Sequence, residues 1–374
     1  KKKCDHLGVA VRMSLPPKLK EIRDKVFVER LALKHTSTIT DPNVFSSCGV
    51  DNSFDLEHFK KNFRINIIRN EEKSQSEAGE DSIEFDVIGI DPPIANAFRR
   101  IMIAEVPTMA IEKVDVYQNT SIVDDQVLAH RIGLVPINVD PRMFEFLPKD
   151  GEMSETNVLV FTLHVVCSRN PNIDPNDFLL ASNDQRYINS TVLSSDLKWV
   201  PQGNQAETFA ENPIRPVHED IIIAELRPGQ EIELALFCHL GIGKDHAKWS
   251  PVQTAYYRLM PEISFSEPIE DVEADELISK CPQNVFDIEE IGSIRRAVVS
   301  RPRQCTMCRE CIRETGFEDR IRLRRIKNHF IFTVESVGMY PAEDIFLEAV
   351  KVLKQKCAEL QSELPSDLME TDSS

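Results

Sequence analysis

The sequence predicts an α+β fold in which the two ends of the chain form one domain and a β-rich insert interrupts it. Alternating apolar residues, followed by an amphipathic helical pattern, occupy residues 63–106. The same order, a strand and then a helix, recurs at residues 329–364. Between these two segments lie short runs rich in β-forming residues and separated by Asn, Pro and Gly, such as VLVFTLHVV, DIIIAEL and EIELALF.

The first 60 residues are rich in Lys, Ser and Pro and show one short helical pattern at 18–33. Such a composition favours an extension that becomes ordered, if at all, against a partner.

The first strand pair follows this extension. Phe63, Ile65 and Ile67 alternate along one face, and the same period-two pattern returns at residues 83–87 after an acidic linker at 70–81. We therefore expect a hairpin with a long loop.

A helix is predicted to begin after Asp91, which can cap it, with proline in the first turn and Pro107 beyond its end. One apolar stripe runs along this helix: Ile94, Ala97, Phe98, Ile101 and Ala104.

A second strand and helix end the chain. The pattern at 329–336 is that of a strand, and Gly338 and Pro341 precede a long helix. The apolar stripe of this helix consists of Phe346, Ala349, Leu353, Cys357, Leu360 and Leu364. One hairpin and two helices cannot cover both faces of a small sheet, so we expect a second chain to complete this core. The polar residues 365–374 are expected to be disordered.

Composition excludes several classes of protein. The formal net charge is −17, so the bulk surface is unsuited to gripping a phosphate backbone. No stretch approaches about 20 apolar residues, and the basic start lacks the apolar core of a secretory signal. We therefore expect an intracellular protein whose nine cysteines are thiols or metal ligands.

The sequence RQCTMCRECIRET places Cys305, Cys308 and Cys311 at C-x2-C-x2-C spacing. In two-cluster ferredoxins each run is C-x2-C-x2-C-x3-C-P, and its fourth cysteine ligates the other cluster. The local fourth position is Thr315, but Cys281 is followed by Pro282 upstream, as the last cysteine of a first run would be.

The eight ligand positions of two such clusters divide into one set of four that are all cysteine and one set of four that contains none. One cluster would use Cys281, Cys305, Cys308 and Cys311, which are all present, whereas the other would use Asp271, Ala274, Leu277 and Thr315. The spacing therefore permits one iron–sulfur cluster, one zinc ion, or an empty remnant whose thiols only pack in a core.

Two further patterns have simpler explanations. GIGKDHAKW resembles a phosphate loop, but Cys238 and Asp245 occupy the positions of the first Gly and the Ser/Thr. It is predicted to be a turn presenting Lys244, His246, Lys248 and Trp249. Arg99 and Arg100 are by default solvated residues of an amphipathic helix. No nucleophile triad or paired-carboxylate pattern stands out.

Residues 91–137 resemble the alpha-like subunits of DNA-dependent RNA polymerases. The block NAFRR at 96–100 is shared with the bacterial alpha subunit and its relatives, and HRIGLVP at 130–136 with archaeal and eukaryotic forms. GIGKDHAKWSP at 241–251 is similar to a third block of the eukaryotic forms. Two features are similar to the larger subunit shared by RNA polymerases I and III. One is the sequence at 199–205 (WVPQGNQ) and 214–234, and the other is the lack of a cysteine-rich loop after residue 136.

The resemblance implies a non-catalytic assembly subunit in the nucleus, including the nucleolus. Such subunits pair with a smaller alpha-like subunit, and the heterodimer is a platform for the second-largest subunit. DNA is met only through the complex, and the catalytic magnesium lies in the largest subunits. We expect pairing through Phe63, Ile65, Ile94, Phe98, Ile101, Phe346, Ala349, Leu353 and Leu360, and large-subunit contacts through Arg99, Arg100, Lys244, His246, Lys248 and Trp249. We also expect a subunit contact for the basic run at 320–327.

The archaeal relative carries a ferredoxin-like subdomain where the cysteine run lies, so the same is expected here. The expected organisation is an extension (1–60), an alpha-like dimerisation domain in two parts (61–108 and 320–364), a β-rich insert (109–270), a ferredoxin-like subdomain (271–319) and a tail (365–374). Two alternatives stay open: a ferredoxin-like electron carrier and the equivalent subunit of RNA polymerase II.

Overall fold

The computed structural model describes residues 16–39, 54–71, 81–148, 151–172, 182–292, 294–313 and 316–364. The predicted disordered tail, most of the predicted acidic linker and Thr315 lie outside the described residues. No helix within these ranges is long and apolar enough to cross a membrane.

The described residues contain both helices and antiparallel sheets, which confirms the α+β class. The helices are α1 (Pro17–Asp24), α2 (Leu56–Asn62), α3 (Pro92–Ala104), α4 (Asp125–Gly133), α5 (Asn183–Arg186), α6 (Gln205–Thr208), α7 (Asp271–Lys280) and α8 (Ala342–Glu363). The strands are β1 (Lys25–Val28), β2 (Leu33–Lys34), β3 (Arg64–Glu71), β4 (Ser82–Ile88), β5 (Thr108–Asn119), β6 (Ile137–Asn138), β7 (Val158–Val166), β8 (Ser168–Arg169), β9 (Tyr187–Ile188), β10 (Thr191–Leu193), β11 (Lys198–Val200), β12 (Arg215–Pro216), β13 (Ile222–Glu225), β14 (Glu231–Gly241), β15 (Val252–Phe265), β16 (Phe286–Ile291), β17 (Ile294–Val299) and β18 (Ile321–Ser336).

The chain divides into two compact units. The first comprises residues 1–68, 84–96 and 256–332, and the second comprises residues 69–83, 97–255 and 333–374.

A six-stranded sheet provides most of the strands of the first unit. Its order is β2-β1-β18-β4-β3, and β15 also pairs with β18. Phe85 of β4 stacks on Phe332 of β18 with ring centroids 5.4 Å apart, and both rings are buried. The two predicted hairpin strands, β3 and β4, are neighbours in this sheet, as expected. β3 ends the strand order, and nearly all of its residues are exposed.

The N-terminal prediction was wrong in two respects. The helix α1 ends at Asp24 rather than near residue 33, and β1 follows it directly. β1 pairs antiparallel with β18 of the same chain, with Val28 opposite Leu323. The β-branched Val26 and Val28 alternate into the interior of the unit, which favours a strand over a continued helix. This part of the extension is therefore ordered by its own chain.

The basic run at 320–327 forms the beginning of β18, as its alternation predicted. Its expected role as a subunit contact is wrong for two of its residues, because Arg324 and Lys327 are buried within the first unit. Arg324 pairs with Glu21 of α1 at 2.5 Å, and burial lowers the pKa of Lys327.

The second unit is organised around a four-stranded sheet with the order β11-β7-β14-β5. Leu236 of β14 lies opposite Phe161 of β7, and both side chains are fully buried. Leu128 and Ile132 of α4 belong to the same apolar core. The predicted β-rich segment thus forms a large core of its own.

Both predicted long helices are confirmed. α3 begins at Pro92 and α8 begins at Ala342, directly after Pro341. In the second unit Phe98 of α3 contacts Phe346 of α8, with ring centroids 5.1 Å apart.

Candidate functional site

The four cysteines that the spacing assigned to one site lie together in the first unit. Cys281 follows the last turn of α7, and the other three lie in a loop with two short 3-10 turns, at Pro302–Gln304 and Glu310–Ile312. All four line a single cavity, together with apolar side chains that include Ile263, Val285, Phe286 and Leu323. All four are free thiols. Cys311 is buried and Cys308 is exposed, so the cavity reaches the surface at Cys308.

The backbone around the thiols is bent towards them. Met307 and Arg309 have φ values of 60° and 67°, in the left-handed region that residues other than glycine rarely adopt. The amide of Met307 donates to the sulfur of Cys305. The amide of Val285 donates to Cys281 Sγ at 3.5 Å. Such amide donors stabilise the thiolate, the form in which cysteine binds metal ions.

Two of these thiols, Cys305 and Cys311, are nevertheless held in their neutral form by burial. Burial raises the pKa of Cys305 and raises the pKa of Cys311 to about 12. The neighbouring thiols act in the same direction on both groups, whereas Arg325 opposes the shift at Cys305. A bound cation would have to displace these protons, so metal binding here would release protons and gain affinity with rising pH.

The spacing of the sulfur atoms bears on which group they could hold. Two thiolates on one zinc ion lie at most about 4.6 Å apart, because each Zn–S bond is about 2.3 Å long. Among the described cysteines, no three have sulfur atoms that all lie within 4.8 Å of one another. The thiols as placed would have to move inwards to share a single zinc, whereas a multi-atom iron–sulfur cluster separates its cysteine ligands further.

The positions that a second cluster would need have a different environment. Ala274 and Leu277 are fully buried on α7. They pack in one apolar core with Phe286, Ala297 and Cys311. Apolar packing therefore occupies the place of two of the lost ligands, and the kept and lost sets differ in structure as well as in sequence.

The cysteine loop is joined to the six-stranded sheet by an ion-pair network that the sequence analysis missed. Arg303, two residues before Cys305, reaches both carboxylate oxygens of Asp86 at 2.8 and 2.9 Å and Glu84 at 2.6 Å. His329 Nε2 lies 3.0 Å from Asp86 Oδ2. Burial opposes ionisation of Asp86, but the bonds from Arg303 and His329 outweigh it and lower the pKa of the carboxyl. The sequence offered one indication of this network, because Asp86 interrupts the apolar residues of β4 with an acidic side chain.

The residues expected to bind a partner subunit fall into two groups. Ile101, Phe346 and Ala349 are buried within this chain, and Phe98 is half-buried. In contrast, Ile65 is 45% exposed and Leu360 is 61% exposed. Phe63 and Ile94 are also exposed, and Leu353 is half-buried. The first group is therefore part of the fold, and the second is available on the surface.

Several further apolar residues are exposed but were not predicted to bind a partner. They are Leu347 and Val350 on α8, Leu364 directly after α8, and Ile67 and Ile68 on β3. Both faces of β3 are exposed, and Ile68 places an apolar side chain on its otherwise polar face. Alternation alone could not indicate this exposure, because it assigns one face of a strand to a core.

The GIGKDHAKW turn is attached to α3 and β5 within the second unit. The amide of Lys244 donates to the carbonyl of Ala104 at 2.7 Å, where α3 ends. A Cβ on Gly243 would lie 2.3 Å from the carbonyl oxygen of Ile103, so only glycine permits this approach.

The four side chains predicted for this turn are placed differently. Lys244 and His246 are exposed. Lys248 donates to the carbonyl of Ile111 at 2.9 Å, contacts the Glu112 carboxylate and lies over the Trp249 ring. Trp249 is buried and donates to the carbonyl of His239 at 3.1 Å. Lys248 and Trp249 thus hold the turn in place, and little of the Trp249 ring is left for another subunit.

The two arginines of the NAFRR block also differ. Arg100 is exposed, whereas Arg99 is half-buried and interacts within the chain. His130 of the HRIGLVP block lies beside His246, with ring centroids 5.9 Å apart. The HRIGLVP and GIGKDHAKWSP blocks therefore meet at these two histidines.

Comparison with known proteins gives a consistent result. Residues 84–357 match the family model described as the RNA polymerase Rpb3/Rpb11 dimerisation domain. The human "DNA-directed RNA polymerases I and III subunit RPAC1" is 44% identical over 364 residues, covering 96% of this chain and all of the human protein. The protein of the same name from Saccharomyces cerevisiae is 46% identical over 333 residues, covering 87% of this chain and 94% of its own length.

A more distant relative belongs to another polymerase. The "DNA-directed RNA polymerase II subunit rpb3" of Dictyostelium discoideum is 32% identical over 313 residues, covering 81% of this chain and 98% of its own length.

Proposed function

The chain belongs to the RNA polymerase Rpb3/Rpb11 dimerisation-domain family, and we propose that it is the larger alpha-like assembly subunit of RNA polymerases I and III. The observation that carries this proposal is the gap in identity: 44–46% to the human and yeast polymerase I and III subunits against 32% to the polymerase II subunit. The subunit has a structural role and no catalytic residue is assigned to it. Its place is the nucleus, including the nucleolus.

Its first partner is the small alpha-like subunit. The exposed apolar residues of β3 and of the second half of α8 support this pairing, because a soluble chain rarely leaves so much apolar surface uncovered. Each unit contributes members of the predicted set to this pairing: Phe63, Ile65 and Ile94 in the first unit, and half-buried Leu353 with exposed Leu360 in the second.

The heterodimer then serves as the platform for the second-largest subunit. Arg100, Lys244 and His246 are exposed, and the positive charges of Arg100 and Lys244 suit an acidic surface on a neighbouring subunit. The strong negative charge of the chain as a whole supports indirect contact with DNA, through the complex only.

The organisation expected from the family is retained in this proposal. An alpha-like dimerisation domain (61–108 and 320–364) is interrupted by a β-rich insert (109–270) and a ferredoxin-like subdomain (271–319). α7 and the hairpin of β16 and β17 form this subdomain together with the cysteine loop.

The subdomain holds one iron–sulfur cluster through Cys281, Cys305, Cys308 and Cys311, and its role there is structural. The shared cavity and the amide donors to sulfur support a metal site, and the separation of the sulfur atoms favours a cluster over a single zinc ion. When bound, the cluster would cross-link α7 to the cysteine loop and so contribute its binding energy to folding.

Anaerobically purified heterodimer should contain about four irons per chain if the cluster is a cubane. Cys308→Ser should remove its visible absorbance, whereas Cys357→Ser, an exposed cysteine on α8, should leave it unchanged. One zinc ion per chain would support the four-cysteine site but would replace the proposed iron–sulfur cluster with zinc. Absence of both metals would make the cysteines ordinary packing residues.

Copurification tests the proposed function itself. Tagged chain expressed in its own cells should copurify with the small alpha-like subunit and with the largest subunits of RNA polymerases I and III. Recovery with the largest subunit of RNA polymerase II instead would overturn the assignment. Recovery with a redox donor or acceptor and no polymerase subunit would favour the electron-carrier alternative.

A further inference from the structure

A histidine and two glutamates meet on the exposed face of the four-stranded sheet. His164 of β7 lies directly opposite Glu233 of β14 in the antiparallel register, and Glu231 is two residues away on the same strand. Ile232, between the two glutamates, is buried, and so are Leu163 and Val165, which flank His164. Alternation along both strands therefore directs all three polar side chains to the outer face.

The ligand atoms of this group are close together. His164 Nε2 is 2.9 Å from Glu231 Oε1, and one such atom from each of the three residues lies within 4.8 Å of the other two. Zinc binds histidine nitrogen and carboxylate oxygen at about 2.0–2.2 Å. Rotation about the side-chain torsions of exposed His164 and of the half-buried glutamates would bring all three atoms to one ion.

The backbone beneath the group is held firmly. β14 pairs with β7 on one side and with β5 on the other. The amide of Glu231 donates to the hydroxyl of Thr120 at 2.7 Å, and the amide of Thr120 donates to the carbonyl of Glu231 at 3.0 Å. Gln118 of β5 lies opposite Glu233 in the antiparallel register, so its side chain is on the same face of the sheet as the His164 group.

The charge balance also favours a cation. Two carboxylates stand two residues apart on one strand face, and like charges at this spacing repel each other. The His164–Glu231 pair is substantially exposed, at 58% and 34% for the two side chains. Exposed pairs of this kind are weak, so they compete poorly with a metal ion.

From this geometry we propose that His164, Glu231 and Glu233 form a binding site for a divalent transition-metal ion. The mixed imidazole and carboxylate set suits zinc and its neighbours, unlike the thiol set around Cys305, which suits metals that prefer sulfur. A bound ion would link β7 to β14, with Gln118 or water completing its coordination. This site is independent of the proposed polymerase function.

Cobalt(II) is the probe that separates this site from the cysteines. Thiolate-bound cobalt has intense charge-transfer absorbance, whereas cobalt bound by nitrogen and oxygen shows only weak visible bands. The full chain, coexpressed with its small partner, is dialysed against cobalt(II) chloride, and bound cobalt is counted before and after each substitution. The unmodified chain is expected to bind one cobalt outside the thiolate band.

His164→Ala and Glu231→Gln should each weaken this non-thiolate binding at least about tenfold, because removing only an outer-shell partner of a metal ligand already costs about 10–100-fold in affinity. His58→Ala removes an exposed histidine on α2 and should have no effect, and Cys308→Ser should alter only the thiolate band. Equal non-thiolate binding by the unmodified chain and by His164→Ala would overturn the proposal. Absence of non-thiolate cobalt from the unmodified chain would overturn it equally.

Discussion

The two halves of α8 carry one apolar stripe but have different surroundings. In the first half Ile345, Phe346 and Ala349 are buried by this chain. In the second half Leu353 is half-buried, and Cys357 and Leu360 on the same stripe are exposed. The helix thus continues beyond the part that its own chain covers. Helical periodicity shows which face of a helix is apolar, but it does not show whether the same chain or a partner covers that face.

Charging the exposed half should have the largest effect. Leu353→Asp with Leu360→Asp should abolish pairing with the small alpha-like subunit, a loss of at least about 100-fold, because buried anchors dominate such interfaces and unpaired charges are costly there. Quantitative copurification of coexpressed subunits measures this.

The matched control for that double variant is Gln355→Asp with Ser362→Asp, which adds the same charges to the opposite, polar side of the helix. This control should pair normally. A double leucine variant that pairs as well as its control would show that the exposed stripe is not the interface.

Truncation in the buried half should affect folding instead. Phe346→Ala should lower the free energy of unfolding of the heterodimer by about 3–5 kcal/mol, because it leaves a cavity against Phe98. Urea denaturation followed by circular dichroism provides the measurement. Leu347→Ala, at the next position but 56% exposed, should barely change the unfolding of this chain. Equal losses for the two variants would contradict the division of the helix.

The edge strand extends the same contrast to the sheet. Ile67 of β3 is 62% exposed, whereas Val87 of the neighbouring β4 is fully buried. Ile67→Ser should weaken pairing by about tenfold, the effect of one apolar contact in an interface, and leave the fold intact. Asn66→Ser on the other face of β3 is the control, and titration of the labelled small subunit compares the two. An unchanged affinity for Ile67→Ser would remove β3 from the proposed interface.

The smallest effect is expected where the surface is charged rather than apolar. Arg100→Glu should leave pairing unchanged and weaken joining of the heterodimer to the second-largest subunit by about threefold, since a charge at the rim of an interface contributes modestly. Arg99→Glu is expected to disturb the heterodimer as well, because Arg99 is half-buried and interacts within the chain. Pull-down at two salt concentrations measures both. Joining of Arg100→Glu with unmodified affinity would contradict the assignment.

The cysteine site shows how far spacing alone could be taken. The four retained cysteines were grouped by comparing two interleaved runs, and the structure brings those four together around one cavity. Spacing could not reveal Arg303 beside Asp86, because a contact across 217 residues has no local signature. It also could not show that Ala274 and Leu277 are core residues at the lost positions.

Local sequence patterns were sufficient to predict the class of fold, the starts of α3 and α8, the β-rich character of the middle of the chain and the resemblance to a family. These features depend on neighbours within a few residues, through caps, prolines and the periods of 3.6 and 2. Three features depend on contacts between distant parts of the chain and were not predictable from local patterns. Trp249 and Lys248 hold their own turn, residues 25–28 pair as a strand with β18, and a particular set of apolar residues stays exposed. Burial is a property of the assembled surface, and an apolar side chain has the same identity whether its cover comes from its own chain or from a partner.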